Sequence, residues 1–150
     1  MTVEVTNVKP VAGTKFYVKV LVGDTYTEVG EIVDMGEYGP TFEEIMHKPI
    51  GTFTTFKFTG AKDNGQLPLQ LGQDLEDAGQ EILRVRNGLQ AYCKIEFPDA
   101  AETSGATPTI DEFVGTILSF KTKIGNVSGI IGASCTVSIS GDITRTPASS

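Results

Sequence analysis

The chain of 150 residues contains no tryptophan, one histidine and two cysteines. A single histidine limits every Ser-His-Asp or Cys-His site to His47, which lies in a proline-flanked polar stretch with no serine or cysteine nearby. The lack of tryptophan disfavours a ligand-binding or carbohydrate-binding pocket, because such pockets often expose aromatic side chains. Cys93 and Cys135 form no CxxC motif, and we expect both to be buried thiols.

Basic residues are also scarce, since 12 Lys and Arg face 19 Asp and Glu and give a net charge of −7. Binding of nucleic acid requires clusters of Lys and Arg, and the sequence has no such cluster. The carboxylates are scattered over expected turns and strand edges. The Glu44-x-x-His47 spacing occurs once, whereas di-metal helix bundles need two such motifs. We therefore predict no catalytic residue, no metal site and no cofactor, and a protein that is not an enzyme.

What the chain does contain is alternation of apolar and polar residues, together with 17 glycines, which favour turns. Asp63-Asn64-Gly65 adds a strong signal for a tight turn. The pattern predicts a mainly β fold, a barrel or sandwich of about seven or eight strands with one external helix. At this length we expect a single domain, 1–150. The predicted strands cover residues 16–22, 27–35, 52–59, 67–71, 92–97, 111–122 and 134–144.

The predicted helix follows the 67–71 strand and ends before Gly88. Asp74 is the expected N-cap, with Asp77 near the positive end of the helix dipole. One apolar stripe should pack against the sheet, and it consists of Leu75, Ala78, Ile82 and Leu83.

Residues 37–51 interrupt the alternation with Gly39-Pro40, Pro49 and Gly51. We expect a long loop here, with one helical turn at 41–46. A loop of this length inside a compact domain is usually functional or mobile. Residues 147–150 should form a flexible tail.

Several short motifs, in this order and spacing, resemble the major tail tube proteins of long, non-contractile-tailed bacteriophages of the siphophage type. The matching segments are Gly13-Thr14-Lys15-Phe16-Tyr17, Val29-Gly30-Glu31-Ile32, Leu69-Gln70-Leu71-Gly72, Asp77-Ala78-Gly79-Gln80, Lys94-Ile95-Glu96-Phe97-Pro98-Asp99, Phe113-Val114-Gly115 and Ile139-Ser140-Gly141-Asp142-Ile143.

The resemblance implies a structural virion protein with the tail tube fold. Subunits of this kind self-assemble into hexameric rings, and the rings stack into the hollow tube through which DNA is ejected. The implied partners are further copies of the chain itself and the tape measure, tail-tip and tail-terminator proteins. DNA would pass through without specific binding, no membrane would be involved, and the tail would be assembled in the cytoplasm of the bacterial host.

The resemblance also suggests roles for two sets of residues. The long loop after the second strand would contribute to contacts between rings, and part of the acidic charge would face the lumen and repel DNA. The candidate ring-stacking residues are Tyr38, Pro40, Phe42, Glu43, Glu44, His47 and Lys48. The candidate acidic lumen residues are Glu28, Glu31, Asp34 and Glu37.

Two other kinds of protein fit the sequence. One is a tail terminator, neck or secretion-system tube component of the same fold. A terminator would cap the tube and would not polymerise. The other is a ligand-binding β-barrel, which would need a lined pocket.

Overall fold

The computed structural model describes residues 8–100 and 105–149. These residues form nine strands and one helix. In chain order the elements are β1 (Lys15–Lys19), β2 (Thr27–Val29), β3 (Ile32–Asp34), β4 (Thr41–His47), β5 (Phe56–Asp63), β6 (Gln66–Gly72), α1 (Ala78–Val85), β7 (Gln90–Glu96), β8 (Ile110–Lys123) and β9 (Gly132–Thr146).

Seven of the strands form one antiparallel sheet in the order β2-β1-β7-β8-β9-β6-β3. Its two edge strands, β2 and β3, follow each other in the chain and are separated only by Gly30 and Glu31. Two linking residues cannot span an open sheet of seven strands, which lie about 4.8 Å apart. The sheet must therefore roll until its edges meet, which gives the barrel-like architecture predicted from the sequence.

The interior of the rolled sheet takes one residue of every two along each strand, as the alternation predicts. One face of β7, for example, buries Ala91, Cys93 and Ile95, and the core also receives Leu83 from α1. The remaining buried core residues are Phe16, Val18, Val29, Leu67, Leu69, Leu71, Phe113, Ile117, Ala133, Cys135, Val137 and Ile139.

The predicted continuous strand over residues 27–35 is wrong. It divides into β2, which pairs with β1, and β3, which pairs with β6 at the other edge of the sheet. Glu31 stands at the break with a φ of 61°, a left-handed conformation that a non-glycine residue rarely adopts. The break also leaves Val33 77% exposed, although the alternation placed it on a buried face.

Helix α1 begins one turn later than predicted, because Asp77 rather than Asp74 is its N-cap. The Asp77 carboxylate accepts hydrogen bonds from the backbone N–H of Gln80, at 2.9 Å, and from that of Gly30, at 3.2 Å. Leu75 therefore lies outside the helix and is 78% exposed, and Ala78 is exposed as well. The buried face is made by Gly79, Gln80 and Leu83, with Ile82 partly buried against the core.

Gln80 joins the three pieces of chain that meet where the sheet closes. Its side-chain amide donates to the backbone oxygens of Gly30 and Gly72, each at 3.0 Å. Its side-chain oxygen accepts from the backbone N–H of Asp74, also at 3.0 Å. Because Gln80 is only 3% exposed, these bonds are shielded from water, and every group of the amide has a partner.

Gly79 lets the helix approach β2 this closely. A Cβ atom at position 79 would lie 2.3 Å from the backbone oxygen of Glu28. In the Asp77-Ala78-Gly79-Gln80 motif, Asp77 caps the helix, Gly79 allows its close approach to β2, and Gln80 bridges neighbouring segments. Together these contacts hold α1 against the closed sheet.

The end of the described chain is paired rather than frayed. Ser149 and Thr107 exchange two backbone hydrogen bonds of 3.0 and 2.8 Å. The flexible tail over residues 147–150 remains a prediction, and Ser150 lies outside the described residues.

We expect Gly79→Ala to lower the free energy of unfolding by about 2 kcal/mol, because the new methyl group must push α1 away from the β2 backbone. Helix propensity alone would favour alanine by up to about 1 kcal/mol, so the sign of the change is diagnostic. Urea unfolding measures it. Val85→Ala, at a 60% exposed helix position, is the control and should change stability by less than about 0.5 kcal/mol. Equal or higher stability of Gly79→Ala would contradict the close approach.

Candidate functional site

The predicted loop over residues 37–51 is instead the first half of a β-hairpin. β4 pairs with β5 in a separate two-stranded antiparallel sheet, and the helical turn expected at 41–46 is absent. All seven residues of β4 are exposed, and β5 is exposed except at the partly buried Gly60. The β4–β5 hairpin is therefore a structured element that lies outside the core of its own chain.

One face of the hairpin is apolar. Ile45 lies directly opposite Phe58, and His47 lies opposite Phe56, so their side chains project to the same side. Ile45, Phe56 and Phe58 are 53%, 46% and 58% exposed, and we refer to these three residues as the apolar face of the hairpin. The segment beyond β4 adds Phe53, whose side chain is fully exposed.

The opposite face is mixed in character. It carries the ion pair between Glu44 and Lys57, whose nitrogen and oxygen are 3.5 Å apart, and also the exposed side chains of Phe42 and Met46. A surface ion pair of this kind contributes little to stability. A two-stranded sheet that buries neither face is marginal in water, so the hairpin has more apolar surface than its own chain can cover.

Both outer edges of the hairpin are unpaired in the described part of the chain. Unpaired strand edges present rows of N–H and C=O groups that can pair with another chain. β4 has seven residues and β5 has eight, and neither has a partner on its outer side among the described residues. Within that part of the chain, β8 beyond Ile117 and β9 beyond Ile139 also pair on one side only. The hairpin thus combines free backbone hydrogen-bonding groups with an apolar face.

An ion pair with a buried carboxylate and an exposed guanidinium anchors the base of the hairpin to the barrel. Asp111, on β8, is fully buried, and its carboxylate receives two hydrogen bonds from the guanidinium of Arg145 on β9, at 2.7 and 2.9 Å. The hydroxyl of Tyr38, just before β4, donates a third hydrogen bond of 2.5 Å to the same carboxylate. Two residues from other parts of the chain, Tyr38 and Arg145, therefore share the Asp111 carboxylate.

The electrostatics of this cluster follow from its geometry. Burial alone would raise the pKa of Asp111, but the hydrogen bonds from Arg145 and Tyr38 and the positive charge of Arg145 outweigh burial and lower that pKa. Burial and the Asp111 carboxylate raise the pKa of the Tyr38 phenol. Asp111 is therefore ionised and Tyr38 is a neutral donor at physiological pH.

Three further contacts fix the direction of the hairpin. Asn64, in the turn after β5, is 5% exposed, and its side-chain amide donates to the backbone oxygen of Gly141. Its own backbone oxygen accepts from the N–H of Gly39 at 3.2 Å. Lys62 and Asp142 add an ion pair of 2.6 Å on the surface. The base of the hairpin is therefore held on both strands.

The residues proposed for ring stacking are now distributed along this hairpin. Phe42, Glu43, Glu44 and His47 are on β4 with exposed side chains. Pro40 and Lys48 flank the strand and are also exposed, whereas Tyr38 is turned toward Asp111. Because residues three apart on a strand project to opposite faces, Glu44 and His47 cannot bind one ion together.

The four candidate lumen residues do not share one strand. Glu28 is on β2, Asp34 is on β3 and Glu31 is in the connection between them. Glu37 lies further on, near Tyr38. All four side chains are exposed and can therefore contact solvent or a partner.

The remaining predicted features have plain structural positions. Cys93 and Cys135 are buried free thiols, and burial raises the pKa of each to about 12. Within residues 8–100 and 105–149, no three His, Cys, Asp or Glu side chains gather to hold a metal ion. Within the same ranges, no helix is long and apolar enough to cross a membrane.

Sequence reasoning missed the residues that define the hairpin surface and its anchor. Ile45 lies in a segment without alternation, whereas Phe56 and Phe58 lie in the predicted 52–59 strand, whose apolar side chains are exposed rather than buried. The partnership of Asp111 with Arg145 depends on the β8–β9 register, which pairs these two residues directly. The two long predicted strands could have suggested that pairing.

Comparison with known proteins identifies the fold. No protein-family model and no curated protein matches the sequence. Solved structures do match, including a chain from the anti-feeding prophage baseplate, with a TM-score of 0.67, 12% identity and 98% of both chains covered. The sheath/tube terminator of an extracellular contractile injection system has a TM-score of 0.67 at 12% identity, with 95% of this chain and 99% of that chain covered.

The tail tube of SPP1 is also similar, with a TM-score of 0.66, 14% identity, and coverage of 92% of this chain and 80% of that chain. Likeness at such low identity establishes the fold. The prediction of a mainly β protein with the tail tube fold is therefore confirmed.

Asp111→Asn should lower the free energy of unfolding at pH 7 by about 2 kcal/mol, because it removes the charge that Arg145 and Tyr38 share. Since the pKa of Asp111 is lowered by folding, its contribution is complete above the unfolded value of about 3.9 and is lost as the pH falls through the folded value. Urea unfolding should therefore show the two proteins converging below about pH 4.

Asp142→Asn is the matched control, because it removes an exposed carboxylate that is paired with Lys62. Its effect should be smaller than that of Asp111→Asn. A difference between wild type and Asp111→Asn that persists undiminished at pH 2 would contradict the assignment.

Proposed function

We propose that this chain is a structural subunit of a phage-type tail, and that copies of it assemble into hexameric rings stacked as a hollow tube that conducts DNA. The observation that carries the proposal is the β4–β5 hairpin, which lies outside the core with an apolar face and two unpaired edges. The tail tube fold agrees with this role, and so does a surface that an isolated monomer leaves uncovered.

In this proposal, β4 and β5 of neighbouring copies pair edge to edge and extend one sheet around the ring. A ring closed in this way leaves no strand edge free, which is the usual solution to the hazard that such edges pose. The anchor formed by Tyr38, Asp111 and Arg145 sets the angle at which each hairpin leaves its barrel. The other partners would be the tape measure, tail-tip and terminator proteins of the same tail.

The exposed carboxylates of Glu28, Glu31, Asp34 and Glu37 are the proposed lining of the lumen. Like charge around a channel repels the DNA phosphates from every side, so DNA would slide without binding. The net charge of −7 on each copy agrees with this arrangement.

A tail terminator is the second candidate, because chains of the terminator and cap type share this fold over nearly the whole length. A terminator would form one ring and would not stack. The two candidates therefore differ in whether the purified protein polymerises.

Phe58→Lys should abolish rings and tubes while leaving the monomer folded. Phe58 is 58% exposed in the monomer, so a charge there does not disturb the core, but it would have to be buried between copies. Sedimentation velocity and negative-stain electron microscopy measure assembly, and circular dichroism checks the fold.

Thr59→Lys is the control for this variant, since residue 59 is the next one on β5 and projects to the opposite face. It should assemble as the wild type does. Normal tubes from Phe58→Lys would show that the apolar face of the hairpin is not the contact.

Neutralising the proposed lumen lining should increase the retention of DNA by the tubes. We expect tubes of the variant Glu28→Gln/Glu31→Gln/Asp34→Asn/Glu37→Gln to retain more short duplex DNA than wild-type tubes when DNA is present during assembly. The measurement is co-sedimentation at low salt, where screening is weakest. Glu76→Gln/Glu81→Gln, beside the exposed face of α1, is the control. Equal retention by all three proteins would contradict the acidic lumen.

A further inference from the structure

A second apolar surface lies at the turn between β8 and β9, in residues 124–131. The side chains of Ile124, Val127 and Ile130 are 69%, 104% and 88% exposed, and that of Ile131 is 44% exposed. No charged residue occurs between Ile124 and Gly141. Several large apolar side chains on one short uncharged loop indicate a contact surface.

Hydrogen bonds give this loop a defined shape. The side-chain oxygen of Asn126 accepts from the N–H of Ser128 at 3.1 Å, and its backbone oxygen accepts from the N–H of Gly129 at 3.0 Å. The backbone oxygen of Ile131 accepts from the N–H of Gln73 at 2.9 Å. Val127 is therefore held at the apex of an ordered turn.

The opposite end of the same two strands holds a cavity of about 400 Å³. Pro10, Val11, Phe97 and Pro98 form its apolar lining, together with Arg145 near the end of β9. A cavity of about 150 Å³ already accommodates a benzene-sized group, so this one has room for the side chains of Val127 and Ile130.

The exposed Lys9 also lines the cavity, and the two other charged groups there, Asp99 and Arg145, already have partners. The carboxylate of Asp99 accepts from the N–H and the hydroxyl of Thr109, at 2.7 and 2.5 Å. The guanidinium of Arg145 is bonded to Asp111. Covering the cavity with an uncharged loop would therefore strand neither of these charges without a partner.

The loop and the cavity cannot meet within one chain. In the β8–β9 pair, Lys123 lies opposite Gly132 at the loop end, and Ile110 lies opposite Thr146 at the cavity end. The 14 residues of β8 separate the two ends by about 40 Å. Two different surfaces at opposite ends of one molecule make a head-to-tail contact, which propagates into an open stack of copies.

We propose that the 124–131 loop of one copy enters the cavity lined by Val11, Phe97 and Pro98 on a second copy in the next ring. This inference rests on the proposed tube and names the contact that stacks its rings. The stacking contact is then separate from the β4–β5 hairpin, which joins copies within a ring.

The test uses two variants of the full chain. Val127→Asp/Ile130→Asp places two charges on the loop and leaves the cavity intact. Pro10→Asp/Val11→Asp places two charges at the cavity and leaves the loop intact. All four positions are exposed, so both variants should fold. Val85→Asp, at a 60% exposed residue of α1, is the control and should form tubes.

Each variant alone should give single rings in electron microscopy and no stacks. An equimolar mixture should give pairs of rings and nothing longer, because one intact loop meets one intact cavity and the next junction lacks a partner. Tubes of normal length from either variant, or only single rings in the mixture, would overturn the stacking contact. Small particles from the wild type at every concentration would overturn the proposed tube itself.

Discussion

The junction at Gly30 is the constraint on which the rest of the structure depends. The two edges of the seven-stranded sheet meet there, and the chain passes from one edge to the other in two residues. Asp77 bonds the N–H of Gly30 and Gln80 bonds its C=O, while Gly79 lets the helix backbone reach β2. A short motif in one helix thus satisfies the backbone groups that closure would otherwise leave buried and unpaired.

Closure of the sheet determines which surfaces of the chain remain available for contact with other copies. Once β2 and β3 meet, the barrel formed by the described residues has no free outer strand, and β4 and β5 form a separate hairpin outside it. The shared carboxylate of Asp111 then ties the base of that hairpin to β8 and β9. The same chain therefore has a self-sufficient core and an apolar element anchored outside it, which is what a subunit of an assembly requires.

The sequence predicted elements where one face is buried and failed where burial depends on distant contacts. Alternation located β7, β8 and β9 because one side of each packs into the core. The alternation predicted one continuous strand in place of β2 and β3, because no local sequence feature marks Glu31 as a break with positive φ. The choice between Asp74 and Asp77 as cap is decided by Gly30, 47 residues away from Asp77. Part of β5 was predicted as the 52–59 strand, whereas β4 was missed because its exposed residues follow no apolar–polar alternation.

Amide hydrogen exchange of β4 and β5 is the most direct measurement of the central claim, that the hairpin edges pair between copies. In dilute protein these amides should exchange quickly, because half of the hairpin's backbone groups face water. On assembly at high concentration they should become protected, while β7 and β8 in the core change little. Exchange of β4 and β5 that stays equally fast in dilute and concentrated protein would contradict the account.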